Sequence, residues 1–251
     1  MTSGVLFPFL CLATLGALVA LDERGLFGGV VRTPVLVGVL AGSLCGHTAL
    51  GLSVGLVFAL LWPAPFRSGG HRAMSPGLAV LVGAGAVSLA AAGTAGGGDG
   101  VRENTIVGSS VAQILASTGN ASVALAVLLG SIGAIVHQKS EILLRRRLGA
   151  RLHADTPERL RVRAVREVIV LGLVLGLLAG CLGLLTGSLR LVERIASAGW
   201  DGGAWPWVLI ASVLGAASQL GRMRGTRTGV LEWAVGVVLG LGGGLLIGGV
   251  W

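Results

Sequence analysis

The sequence predicts an all-α fold: a polytopic transmembrane helical bundle with two broken or hairpin helical segments. Three observations carry this. The chain of 251 residues is 53% hydrophobic and only 12% charged, about half the charge of an ordinary soluble domain. Mean hydropathy is +0.87. Apolar stretches fall at about 5–21, 34–62, 76–95, 105–137, 168–189, 205–221 and 228–251, with charge or Gly/Pro clusters at the joints. Stretches of this length and composition are read as membrane spans. They leave no room for a separate soluble domain, so residues 1–251 form one integral membrane domain.

The first stretch, Val5–Leu21, reads as a retained span rather than a signal peptide. Met1–Gly4 carries no basic residue, and Asp22-Glu23-Arg24 follows where a small-x-small cleavage site would stand. Two readings of that acidic-basic triplet are open. It forms a solvated interfacial loop whose charges pair with each other, or Asp22 caps or faces a polar cavity beside the next segment.

Pro34–Trp62 and Thr105–His137 are too long for single spans. As straight helices they would reach roughly 44 and 50 Å, against a hydrocarbon core of about 30 Å. Small polar residues interrupt each near its middle: "CGHT" at 45–48 and "STGN" at 117–120. Each is a broken helix, a re-entrant hairpin, or two spans joined by a tight turn. Irregular backbone at membrane depth needs protein or a water-filled cavity around it, and paired interruptions point to a transporter binding site.

Charge sets the sidedness. The segment 138–167 is a basic loop, with nine basic and four acidic residues between Lys139 and Glu167. "GRMRGTRTG" at 221–229 holds three arginines and no acid. Both belong on the cytoplasmic side, and the C-terminal Trp251 on the other. The net charge of +8 follows from this bias and calls for no nucleic-acid partner. The N-terminal half carries no comparable bias.

Glycine is spaced as well as abundant. Gly172, Gly176 and Gly180 recur every four residues, as do Gly236, Gly240, Gly244 and Gly248. Such stripes let a second backbone approach, within the chain or from a partner. Cys11, Cys45 and Cys181 lie in apolar runs with no ligand spacing and read as small core hydrophobes.

No catalytic motif is present: no His-Glu-x-x-His, no Walker loop, no Gly-x-Ser-x-Gly. An enzyme is not expected, nor a cofactor or metal. Candidate substrate-binding residues are the polar groups in or beside apolar stretches: Asp22, His47, Asn104, Gln113 and Asn120. Intramembrane ionisable groups are functional candidates by default. His47 is the best single one, or else a hinge histidine bonded to carbonyls freed at the break. Gln113 and Asn120 bind a polyol or bridge two helices.

Leu21-Asp22-Glu23, Arg32-Thr33-Pro34, "VGVLAGSLCGHTALGLSVG" at 37–55, Trp62 and "GNASVALAVLLGSIGA" at 119–134 together resemble the mannose/sorbose-type IIC permease subunit of the bacterial sugar phosphotransferase system. The resemblance covers most of the first 190 residues. It implies a sugar-translocating subunit of the bacterial inner membrane, working with a IID membrane subunit and soluble IIA and IIB phosphocarriers. A homo-oligomer in the lipid bilayer is a further partner expectation. Phosphate would travel on the soluble partners, so this chain would need no phosphorylated residue. Two departures stand out. "GLVFALLW" at 55–62 lacks the acid that family members carry before the Trp, and no Gly-Ala-x-x-x-Pro-Asp segment follows Trp62. The alternative implied is a non-transporting membrane scaffold or sensor on the same fold.

Overall fold

The computed structural model describes residues 3–24, 29, 31, 33–61, 75–94, 119–149, 156–197 and 210. Among them are seven helices: α1 Ser3–Asp22, α2 Pro34–Leu44, α3 Thr48–Leu61, α4 Pro76–Thr94, α5 Asn120–Gly149, α6 Pro157–Ser188 and α7 Leu191–Ser197. The spans expected at 205–221 and 228–251, their basic loop and the glycine stripe Gly236–Gly248 lie outside the described residues.

Helix α4 is the centre. Leu78, Leu81, Val82, Ala84 and Val87 are fully buried. A helix apolar on every side is one surrounded by protein or lipid, and here α1, the α2–α3 pair, α5 and α6 pack around it. The outer faces are apolar too. Leu6, Phe7 and Leu10 on α1, Leu128 and Ile135 on α5, and Val170 and Leu184 on α6 are all exposed. Soluble monomers seldom present apolar faces of that extent. Asn120–Leu144 and Glu158–Ser188 are long and apolar enough to cross a membrane, which fits membrane association.

Helix senses follow from where glycines meet their neighbours. A methyl added at Gly16 would strike the Gly172 carbonyl, one at Gly176 the Leu12 carbonyl, and one at Gly180 the Phe9 ring. Helices α1 and α6 are therefore antiparallel, and the stripe Gly172–Gly176–Gly180 packs within the chain. Gly83 lies on Ala126, and Gly130 on Ala79, so α4 and α5 are antiparallel. Gly183 lies on Ala86 and Gly187 on Ala90, so α4 and α6 run in the same direction. At one end of the bundle, Ala20 of α1, Leu144 of α5 and Val168 of α6 share a small apolar cluster.

The long segment 34–62 is a helical hairpin. Leu44 ends α2, Gly46 takes φ +80° in the turn, and Thr48 starts α3. Only glycine adopts that backbone at no steric cost. The His47 N–H donates to the Gly42 carbonyl at 2.8 Å and closes the turn. Gly38 and Gly42 of α2 press directly on Gly51 and Gly55 of α3. At 1.5 Å per residue the arms measure about 16 and 21 Å, so neither crosses a hydrocarbon core of about 30 Å.

The structure corrects the loop expected at 138–167. Helix α5 continues to Gly149 and α6 begins at Pro157. Arg, Glu and Leu are good helix formers, so charge ends the apolar pattern without ending the helix. Cys181 is a second correction: it is exposed on α6, while Cys45 is buried and Cys11 half-buried.

Candidate functional site

The polar groups gather at two levels of the bundle. The lower level is the end where α1 stops. Asp22 is fully buried there, and its Oδ1 accepts the Gly29 N–H at 2.9 Å, with Gly29 at φ +85°. A buried carboxylate requires such partners. Its neighbours reach across to α5. The Glu23 carboxylate stands 3.5 Å from His137 Nε2, and Glu141 stands 4.0 Å from the same nitrogen. The Arg24 guanidinium stands 3.5 Å from the other Glu141 oxygen. His137 is 5% exposed. One imidazole, two carboxylates and a guanidinium thus tie α1 to α5 where the apolar parts of both helices end.

This overturns the reading of residues 22–24 as a solvated loop. It also separates Asp22 from the hairpin break. Phe58, near the end of α3, lies on Gly130 of α5, seven residues before His137. The hairpin base therefore faces the Asp22 end, and its tip points away. Cys45 at the tip lies near Cys11 in the middle of α1, roughly 16 Å along the helix from Asp22.

The upper level lies on α4 and α5. Gly83 lies on Ala126 and Gly130 on Ala79, so in this antiparallel pair Ser88, nine residues beyond Ala79, and Asn120, ten before Gly130, fall at about the same height. Ser88 is fully buried, and among the described residues neither its Oγ nor the Asn120 Oδ1 has a hydrogen-bond partner. Leaving such an atom unsatisfied costs about 1–3 kcal/mol.

Of the sequence candidates, Asn120 belongs to the upper level, Asp22 to the lower one, and His47 to the hairpin turn. Asn104 and Gln113 lie outside the described residues. Sequence reasoning missed the pairing of His137 and Glu141 with Glu23 and Arg24. A signal was available: a His and a Glu four residues apart at the end of one apolar run, and complementary charges at the end of another. Charges at helix ends on one side of a bundle are placed to meet.

Among the described residues no group of His, Cys, Asp and Glu is arranged to hold a metal ion. No family model, curated protein or solved structure matches this chain.

Proposed function

We propose that this chain is a multi-pass bacterial inner-membrane permease subunit of the mannose-type IIC class, translocating a sugar with a IID-like membrane subunit and soluble IIA and IIB phosphocarriers. The observation that carries the reading is the upper polar level. Two buried polar atoms without a hydrogen-bond partner among the described residues, Ser88 Oγ and Asn120 Oδ1, stand at one height, in a bundle that also holds a glycine-zipped hairpin too short to cross the membrane. A broken element whose tip stops inside the bundle exposes backbone and side-chain polar groups only where a cavity or solute receives them. Hydroxyl-rich solutes supply both donors and acceptors to such atoms. The motifs from Leu21 to Trp62 and from Gly119 to Ala134 support the same class.

In this reading the basic end of α5 and α6 faces the cytoplasm. Helix α1 then enters with its N-terminus on the opposite side, and the hairpin enters and leaves from the cytoplasmic face. The cluster of Glu23, Arg24, His137 and Glu141 is a fastening between helices, remote from the solute.

The test is uptake. Proteoliposomes holding the chain with its IID partner, supplied with phosphorylated IIA and IIB, should accumulate a labelled hexose or hexosamine. Asn120→Leu should abolish accumulation while leaving the complex intact. A chain that binds its partner but accumulates no sugar, from a panel of hexoses and hexosamines, would sink the transport reading in favour of a scaffold or sensor. The absent acid in "GLVFALLW" is the feature that favours this second reading.

A further inference from the structure

Helices α5 and α6 meet at Leu144 and Val168, beside the densest basic run of the sequence. They face each other with matched stripes. On α5, Ser140, Leu143, Leu144 and Arg147 recur at three- and four-residue spacing. On α6 the corresponding stripe runs from Arg163 to Val174. Such stripes ordinarily interdigitate. Here they leave a groove of about 520 Å³.

The groove is graded along its length. Arg147, Arg163 and Arg166 stand at its outer end, with Glu167 the single acid among the described lining residues. Leu143, Val170 and Val174 line the inner part, and these are 54%, 50% and 49% exposed. From Arg163 to Val174 is about 16 Å along the helix axis. The charged end is level with the last charges before both apolar spans, and the apolar end lies within them. Three guanidiniums against one carboxylate attract an anion, and the planar fork of arginine suits a phosphate. The half-exposed apolar wall suits a chain of methylenes.

We propose that this groove seats one anionic diacyl phospholipid, its phosphate on Arg147, Arg163 and Arg166 and an acyl chain along Leu143, Val170 and Val174. The proposal rests on the membrane-spanning part of the functional reading and is independent of sugar transport. Basic recesses between spans on the cytoplasmic side are suited to acidic lipid headgroups. A phosphorylated protein would engage only the outer end and leave the apolar wall uncovered, so the lipid accounts for more of the groove.

The experiment uses the full chain, purified in detergent and stripped of lipid. Native mass spectrometry titrates phosphatidylglycerol and phosphatidylcholine of identical chains. One phosphatidylglycerol should bind on the order of tenfold more tightly than phosphatidylcholine, and Arg163→Gln with Arg166→Gln should erase that preference. Arg163→Lys with Arg166→Lys should retain most of it. Arg190→Gln with Arg194→Gln, beyond the opposite end of α6 in the following turn and on α7, should change nothing. Val174→Ser should weaken both lipids alike. Circular dichroism of each variant separates lost binding from lost helix. Equal binding of the two lipids, or a Gln variant that behaves as the wild type, overturns the proposal. Full competition by free glycerol phosphate also overturns it, because the acyl wall would then contribute nothing. A chain released from membranes by alkaline carbonate sinks this proposal and the membrane reading together. One retained there without lipid preference sinks the groove alone.

Discussion

The α2–α3 hairpin and the α1–α5 junction join helices by opposite means. In the hairpin, Gly38, Gly42, Gly51 and Gly55 bring two backbones together with no side chain between them. At the junction, long charged side chains bridge the gap: Glu23 and Arg24 reach His137 and Glu141. The first contact is dispersion at short range, dense and indifferent to pH or salt. The second depends on charge, and on partners being present for every buried group. The difference follows location. Inside an apolar bundle only close packing holds helices without exposing polar groups. At the helix ends, water and headgroups tolerate charge.

The strongest way to break this contrast is to add bulk to the hairpin. Gly51→Leu would drive a side chain into the Gly38 carbonyl and the Gly42 backbone. Overpacking typically costs about 1–3 kcal/mol, and more is expected where the obstacle is backbone. The folded chain in detergent should melt markedly lower, or fail to accumulate. A melting temperature equal to the wild type would show that the arms do not touch.

Removing the buried carboxylate comes next. Asp22→Ala strips the Gly29 N–H of its acceptor, at a cost of about 1–3 kcal/mol. Thermal melts should fall, and hydrogen exchange at the Gly29 amide should accelerate by at least tenfold. Unchanged exchange would mean the amide is protected by something else.

The ion pair across the junction should matter least among the contacts. Arg24 is 35% exposed and Glu141 13%, and pairs of this kind couple by about 0.2–1 kcal/mol. A double-mutant cycle of Arg24→Ala and Glu141→Ala, read from melting in low salt, should return a coupling of that size. It should shrink at high salt, whereas the Gly51→Leu penalty should not change. A salt-dependent hairpin penalty would erase the distinction between the two regions.

The smallest effect sharpens the comparison from the other side. A methyl at Gly149 meets none of the described residues within 4 Å. Gly149→Ala in the last turn of α5 should be neutral or stabilise by up to about 1 kcal/mol, as expected for alanine over glycine in a helix. Destabilisation would show that glycine at this position has a role the contacts do not reveal.

Parts of this protein were legible in its composition and periodicity. The apolar runs at 5–21 and 76–95 became α1 and α4 almost to the residue, because hydrophobicity and span length are local properties. The interruption at Cys45–Thr48 was visible because Gly46 and small polar residues break an apolar run. Spacing alone marked Gly172, Gly176 and Gly180 as a packing face. Other features required the assembled bundle. Charge obscured the helical course of residues 139–149 and 157–167, since arginine and glutamate end an apolar pattern while favouring the helix itself. Charges at the ends of two apolar runs signalled a meeting, but which of them pair was not legible, because residues 24 and 141 are far apart in sequence.

What the sequence determined by itself, then, is the apolar course of α1 to α4 and the break between α2 and α3. These depend on side chains within a few turns of one another. What only the tertiary structure decided is which glycine faces which backbone, that Asp22 is buried, and that Ser88 and Asn120 stand at one height. Those depend on the register between helices. Register is fixed when many weak contacts from distant segments are satisfied at once, and no short stretch of sequence contains both halves of such a contact.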